Sequence, residues 1–337
     1  MTPRKILVLA VSFAISAVFV WLILRRLDLA EVGRIMAAAD PGWLVVALGC
    51  FAAGYACRIQ RWRCMLRADG AGTGFGQAAV PFLASIATNN VLPFRAGDAL
   101  RTFAFRDWLG IGAPVVLATL IVERLLDMLS LLLALGVVLL VFRGTGIPAG
   151  DLMGVGGNVL VALALVLAVV LLRPQIFARL AGRVTALAGR GLPGLKDRLD
   201  AAVRQVFATL AQQAEGPRML VLLAWSFAAW AFEGAVFYAT AASLPALTEA
   251  AAGWLAFPVA TLATLIPSMP GHVGTFDFFA SRAAELMGNT AAAAAAFALL
   301  VHFILWIVAT VAGGLCLLVW IAWQPATTRP SRKDLTP

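Results

Sequence analysis

The sequence predicts an all-α, polytopic transmembrane helix bundle with about six crossings and two re-entrant broken-helix elements. Three observations predict it. Of 337 residues, 62% are hydrophobic and 13% charged, with a mean hydropathy of +0.92, which leaves too little polar surface to coat a soluble globule. Apolar runs near spanning length recur along the whole chain. Two runs are broken by proline, glycine and charge about half a chain apart, and backbone broken inside a bilayer must be buried in protein or line a cavity.

The first run, Ile6 to Leu24, follows Arg4-Lys5 and has no small-residue cleavage site before Arg25-Arg26, so a retained helix is expected rather than a cleaved signal peptide. The second, Trp43 to Cys57, is short for a crossing and is expected to extend into its polar flank. There Arg58, Arg61 and Arg63 are read as snorkelling to the interface. Phe75 to Pro93 forms the first re-entrant element. Val115 to Val141 crosses, Val159 to Leu172 is again short, and Met219 to Ala242 and Ala291 to Trp323 complete the six. Trp254 to Pro267, closed by Phe276 to Met287, forms the second re-entrant element. Residues 1–325 are then one transmembrane domain with two pseudo-repeated halves, and 326–337 a polar tail.

A formal net charge of +9 and a pI near 10.4 fit loops facing anionic lipid and not a nucleic-acid partner. The connection from Arg173 to Arg218 carries a basic excess and is expected in the cytoplasm of a bacterial-type inner membrane. An even number of crossings places both termini there too, beside Arg4-Lys5 and Arg329, Arg332 and Lys333. The base-poor loops Arg143 to Asn158 and Ser243 to Gly253 then face outward, and the misfit is Arg25, Arg26 and Arg34 on the outer side. Within the connection Leu195, Leu199, Val203, Val206 and Leu210 recur at helical spacing, an amphipathic helix that either lies at the membrane interface or caps the bundle.

Charge stands where lipid should be in Glu123-Arg124-Leu125-Leu126-Asp127, with Glu123 roughly 12 to 15 Å along its span. Each such charge costs at least about 2.5 to 3.5 kcal/mol at mid-membrane, so partners are required. Arg124 can reach Asp127 at i,i+3. Two readings stand: a closed salt bridge pinning this helix, or a polar cavity in which Arg124 and Arg101 meet a phosphate while Glu123 and Asp127 hold the arginine in place or bind a cationic headgroup. Glu233 stands alone in its span, and Arg282 and Glu285 are spaced to pair. Cys50, Cys57 and Cys64 follow helical steps and, with Cys316, match no zinc or redox motif. No nucleophile elbow, P-loop, dinucleotide fingerprint or metal-ligand cluster is present, so no catalytic residue, cofactor or metal is expected.

The breaks themselves read Asn90-Val91-Leu92-Pro93-Phe94-Arg95-Ala96-Gly97-Asp98, followed by Arg101, and Pro270-Gly271-His272-Val273-Gly274-Thr275-Phe276-Asp277. Each region contains Pro-x-x-x-Gly: Pro93 to Gly97, and Pro267 to Gly271. Both are expected to face one cavity. The candidate substrate-binding residues are accordingly Asn90, Pro93, Arg95, Gly97, Asp98, Arg101, Glu123, Arg124, Asp127, Pro270, Gly271, His272, Gly274 and Asp277.

These motifs, with Arg61-Trp62 and Glu123-Arg124 with Asp127, resemble in order and spacing the flippase-like membrane family that includes the transmembrane region of lysylphosphatidylglycerol synthases. The resemblance covers nearly the whole chain. It implies a lipid-handling bundle that moves a phospholipid or other polar lipid between leaflets, and a lipid that varies among relatives found beside glycosyltransferase and hopanoid genes. His272 and Asp277 stand where the family often has Gly and Glu. With the lysyltransferase domain not following Pro337, lysyl transfer is not expected. The expected function is translocation of an anionic or zwitterionic lipid. The alternatives are an accessory subunit presenting lipid to a glycosyltransferase or other lipid-modifying enzyme, and a membrane enzyme built on carboxylates.

Overall fold

A computed structural model describes residues 3–25, 27–68, 72–142, 157–175, 177–178, 193–213, 215 and 217–323. Expectations resting on Arg26, the loop 143–156, the segment 179–192 and the tail 324–337 lie outside the described residues. The regular elements of the described chain are all helical: α1 (Pro3–Leu24), α2 (Leu29–Ala37), α3 (Pro41–Ala68), α4 (Phe75–Val91), α5 (Ala96–Phe103), α6 (Arg106–Leu109), α7 (Ala113–Val141), α8 (Gly157–Leu172), α9 (Pro193–Gln213), α10 (Arg218–Ala242), α11 (Ala252–Ala263), a 3₁₀ turn (Pro270–His272), α12 (Thr275–Leu286) and α13 (Ala291–Trp323).

Four helices, α3, α7, α10 and α13, are long and apolar enough to cross a membrane. α1 and α2, bent 84° at their junction, make a fifth if taken as one broken span. The expected six crossings are therefore not reached among the described residues. For α8 the cause is length: its 16 residues rise about 24 Å against a hydrocarbon core of about 30 Å. The short second run does extend into its flank, since α3 continues past Cys57 to 28 residues. Large apolar side chains stand exposed on the outer faces of α7 (Leu133, Val137, Leu140) and α13 (Leu315, Leu318, Val319), a surface suited to lipid and not to water. The protein is a multi-pass membrane protein.

Two apolar cores hold the bundle. One joins α10, α11, α12 and α13, where Ala292 to Ala298 are buried; small side chains there let helices approach closely. The other joins α3, α4 and α7. The amphipathic segment becomes α9, which packs on α7 and α3 and donates Gln213 Nε2 to the Met65 carbonyl (3.1 Å) and Gln212 Nε2 to that of Ala68 (2.6 Å). The helix thus packs on the bundle, as a cap would.

Both broken elements are helix, break, helix. α4 carries Pro81 and packs with α5 after the break at residues 92–95; α11 carries Pro258 and packs with α12 after the break at 264–274. α13 lies against both α4 and α12, and that shared neighbour brings the two breaks together.

Candidate functional site

The first break is built around Asn89. After Val91 the chain enters left-handed backbone at Phe94 (φ 63°) and Arg95 (φ 53°), a conformation that costs roughly 1–2 kcal/mol per non-glycine residue. Asn89 offsets it by tying down the far side: its Oδ1 accepts from the Gly97 N–H (2.8 Å) and its Nδ2 donates to Asp98 Oδ1 (2.9 Å). Gly97 is required for close approach, since a Cβ there would lie 1.8 Å from the Ser85 carbonyl oxygen.

The second break is pinned from two sides. Ser16 of α1 accepts from the Met269 N–H (3.0 Å), and the turn runs through positive φ at Gly271 (76°), His272 (58°) and Gly274 (85°). From α13, His302 Nε2 donates to the Gly271 carbonyl (2.8 Å), while His302 Nδ1 meets Asp277 Oδ1 (2.7 Å). Asp277 Oδ2 accepts from the Gly274 N–H (2.8 Å), closing the start of α12. One helical turn further along α13, Trp306 Nε1 donates to the Asn90 carbonyl (3.4 Å), and Thr310 Oγ1 accepts from Asn90 Nδ2 (3.0 Å). His302, Trp306 and Thr310 recur every four residues on one face and hold both breaks.

Between the breaks lies one cavity of about 370 Å³, lined from the first break by Asn89, Asn90, Leu92, Pro93, Phe94 and Arg95, from the second by residues 264–272, and by Arg124 of α7. The shared cavity expected from the sequence is present. Its cations are Arg95, which forms no ion pair among the described residues, and Arg124, whose half-exposed side chain meets Asp98 Oδ2 at 3.3 Å. Leu92, Phe94 and Leu265 are about half exposed, giving polar walls apolar lips.

Of the fourteen candidates, Asn90, Pro93, Arg95, Arg124, Pro270, Gly271 and His272 line this cavity. Gly97, Asp98, Gly274 and Asp277 brace the breaks from behind. Arg101 and Glu123 stand apart: their side chains are 1% and 5% exposed and bond each other at 2.7 Å, with the Arg101 guanidinium over the rings of Trp62 and Phe82 (4.1 and 4.8 Å). Asp127 lies elsewhere again, accepting from Arg61 Nη1 (2.7 Å) and Trp230 Nε1 (3.1 Å).

The ion pairs therefore differ from those that helix spacing suggests. Arg124 reaches across to Asp98 and not along its helix to Asp127. Arg61 is fully buried, and Arg58 pairs with Glu233 (2.8 Å) and stacks on Trp230, so neither snorkels and Glu233 is not alone. Inside a bundle a neighbouring helix supplies the partner that interfacial water would otherwise provide. Arg282 and Glu285 do pair. No group of metal-ligating residues occurs among the described residues. Missing from the sequence candidates were Asn89, Ser268, His302 and Trp306; the polar stripe at positions 302, 306 and 310 of an otherwise apolar helix was the available signal.

A family model described as the lysylphosphatidylglycerol synthase TM region matches residues 9–313. A curated relative, "Glycosyltransferase AglD" of Haloferax volcanii, is 29% identical over 302 residues, covering 82% of this chain and 48% of the relative. The chain thus spans about half the length of that relative.

Proposed function

The chain belongs to the family of the lysylphosphatidylglycerol synthase TM region, and on that premise we propose that it carries an anionic or zwitterionic lipid headgroup between leaflets of a bacterial-type inner membrane. One observation carries the reading: two broken helices turn their breaks onto a single cavity holding Arg95 and Arg124 against one carboxylate, Asp98. A guanidinium holds phosphate through two parallel hydrogen bonds. The exposed apolar lips let acyl chains stay in lipid while the headgroup enters. Arg101 and Glu123 serve in this reading as scaffold and not as phosphate ligands, because their pair is sealed from the cavity. With no nucleotide-binding motif in the sequence, transport in this reading is downhill, coupled to an ion or assisted by a partner protein.

A second reading, an accessory subunit presenting lipid to a glycosyltransferase, is favoured by the name of the Haloferax relative. Purified protein in phosphatidylcholine liposomes containing tail-labelled phosphatidylglycerol separates them, with dithionite quenching the outer leaflet. Translocation predicts loss of the protected fluorescent fraction. Arg124→Lys should slow it about tenfold to a hundredfold, the loss of a charge-assisted hydrogen bond worth about 1.5–3 kcal/mol, without unfolding the protein. Lipid binding without flux would favour the second reading.

A further inference from the structure

We propose that the Asp277–His302 couple is a proton-binding site that couples the second break to proton movement; this rests on the translocation reading above. The argument is a count of protons. The Gly271 carbonyl only accepts, so His302 Nε2 must carry a hydrogen in the structure. The 2.7 Å contact between His302 Nδ1 and Asp277 Oδ1 requires a second hydrogen, because a ring lone pair facing a carboxylate at that distance is repulsive. The closed couple therefore holds two protons and is neutral overall, as imidazolium with carboxylate or imidazole with carboxylic acid.

Loss of one proton has a directed result. The couple becomes a neutral ring beside an anion, and the anion keeps the remaining hydrogen on Nδ1. Nε2 then presents a lone pair to the Gly271 oxygen, and the bond that anchors the turn is lost. Gly271 and His272 line the cavity, so the released turn is part of the cavity wall. Departure of the proton also leaves one net negative charge behind that wall, which opposes an anionic headgroup. Protonation and headgroup binding thus favour each other, and by linkage the headgroup raises the site's proton affinity by the same factor.

The couple is well isolated for this task. The His302 and Asp277 side chains are 14% and 5% exposed; Phe276 packs at a tilt against the His302 ring, with centroids 4.7 Å apart. Among the described residues, the titratable group facing it is His272 on the turn, hydrogen-bonded to Ser268 (3.1 Å), with Arg95 beyond it acting on His272. The neighbouring elements add only uncharged groups, α1 placing Ser16 on the Met269 N–H, α4 the Asn90 carbonyl on Trp306 and α10 the Phe237 ring on Phe276.

The test uses the liposomes above with a pH gradient imposed across the membrane and an entrapped pH dye. Labelled phosphatidylglycerol should accumulate with the proton in wild type, and proton entry should rise when the lipid moves. Asp277→Asn keeps the Gly274 bond and lets a neutral His302 hold Gly271, so its flux should ignore the gradient; His302→Gln should do the same. A gradient-independent wild-type flux, or a gradient response retained in both variants, overturns the proposal. If wild type moves no lipid, the translocation reading fails and a second measurement decides on the proton site. Ser268→Cys in a background lacking the four native cysteines should be labelled by maleimide faster as pH rises, by up to about tenfold per pH unit, the steepness one proton allows, after correction for thiol ionisation. That rise should vanish with Asp277→Asn, and a flat wild-type profile overturns the site.

Discussion

Glu123→Gln isolates what the sealed pair does. Arg101 is among the largest fully buried side chains, its Nε already lacks a hydrogen-bond partner, and Glu123 is the carboxylate bonded to it. Removing that charge leaves a guanidinium uncompensated, and breaking a buried pair in this way costs about 3–5 kcal/mol. The lower end applies here, about 3 kcal/mol, because the glutamine oxygen still accepts a hydrogen bond and the Trp62 and Phe82 faces remain under the cation. Against a total stability of about 5–15 kcal/mol this is a large loss. Replacing both partners, Arg101→Met with Glu123→Leu, removes both buried charges and should restore most of it, since an apolar substitute for a buried pair is often neutral. Denaturant unfolding in detergent micelles gives the midpoints, and lipid flux is measured on the same preparations. Parallel loss in the single variant with recovery of stability in the double is expected. A Glu123→Gln protein that unfolds at the wild-type midpoint yet moves no lipid would refute the scaffold role.

Two further outcomes follow from the same geometry. Gly97→Ala should lower stability by about 1–3 kcal/mol or more in the same unfolding assay, because its Cβ meets the Ser85 carbonyl oxygen and Asn89 Oδ1 at 1.8 and 2.9 Å; an unchanged midpoint would mean that α5 does not sit on α4. A reporter fused within residues 173–218 should read cytoplasmic, since each base near anionic lipid contributes about 1 kcal/mol; a periplasmic reading would invert the proposed orientation.

Much of the architecture is written locally. Apolar length and the paired Pro-x-x-x-Gly segments depend on neighbours in the chain, so the membrane class, the helical fold and the places where helices break are readable from residues alone. The shared cavity also follows from the sequence, because two disrupted backbones in one bundle need the same polar refuge. Partner choice is different. Arg61 with Asp127 and Arg101 with Glu123 are 66 and 22 residues apart, and which of several buried charges meet is set by how each helix is rotated against the next. Hydropathy does not encode that rotation. Spacing on α7 therefore suggested Arg124 with Asp127, whereas packing turned Arg124 to Asp98 and Asp127 to α3. The same holds for His302: as a lone histidine on an apolar helix it has no legible role, and only the approach of α13 to both breaks places it between Asp277 and the Gly271 carbonyl.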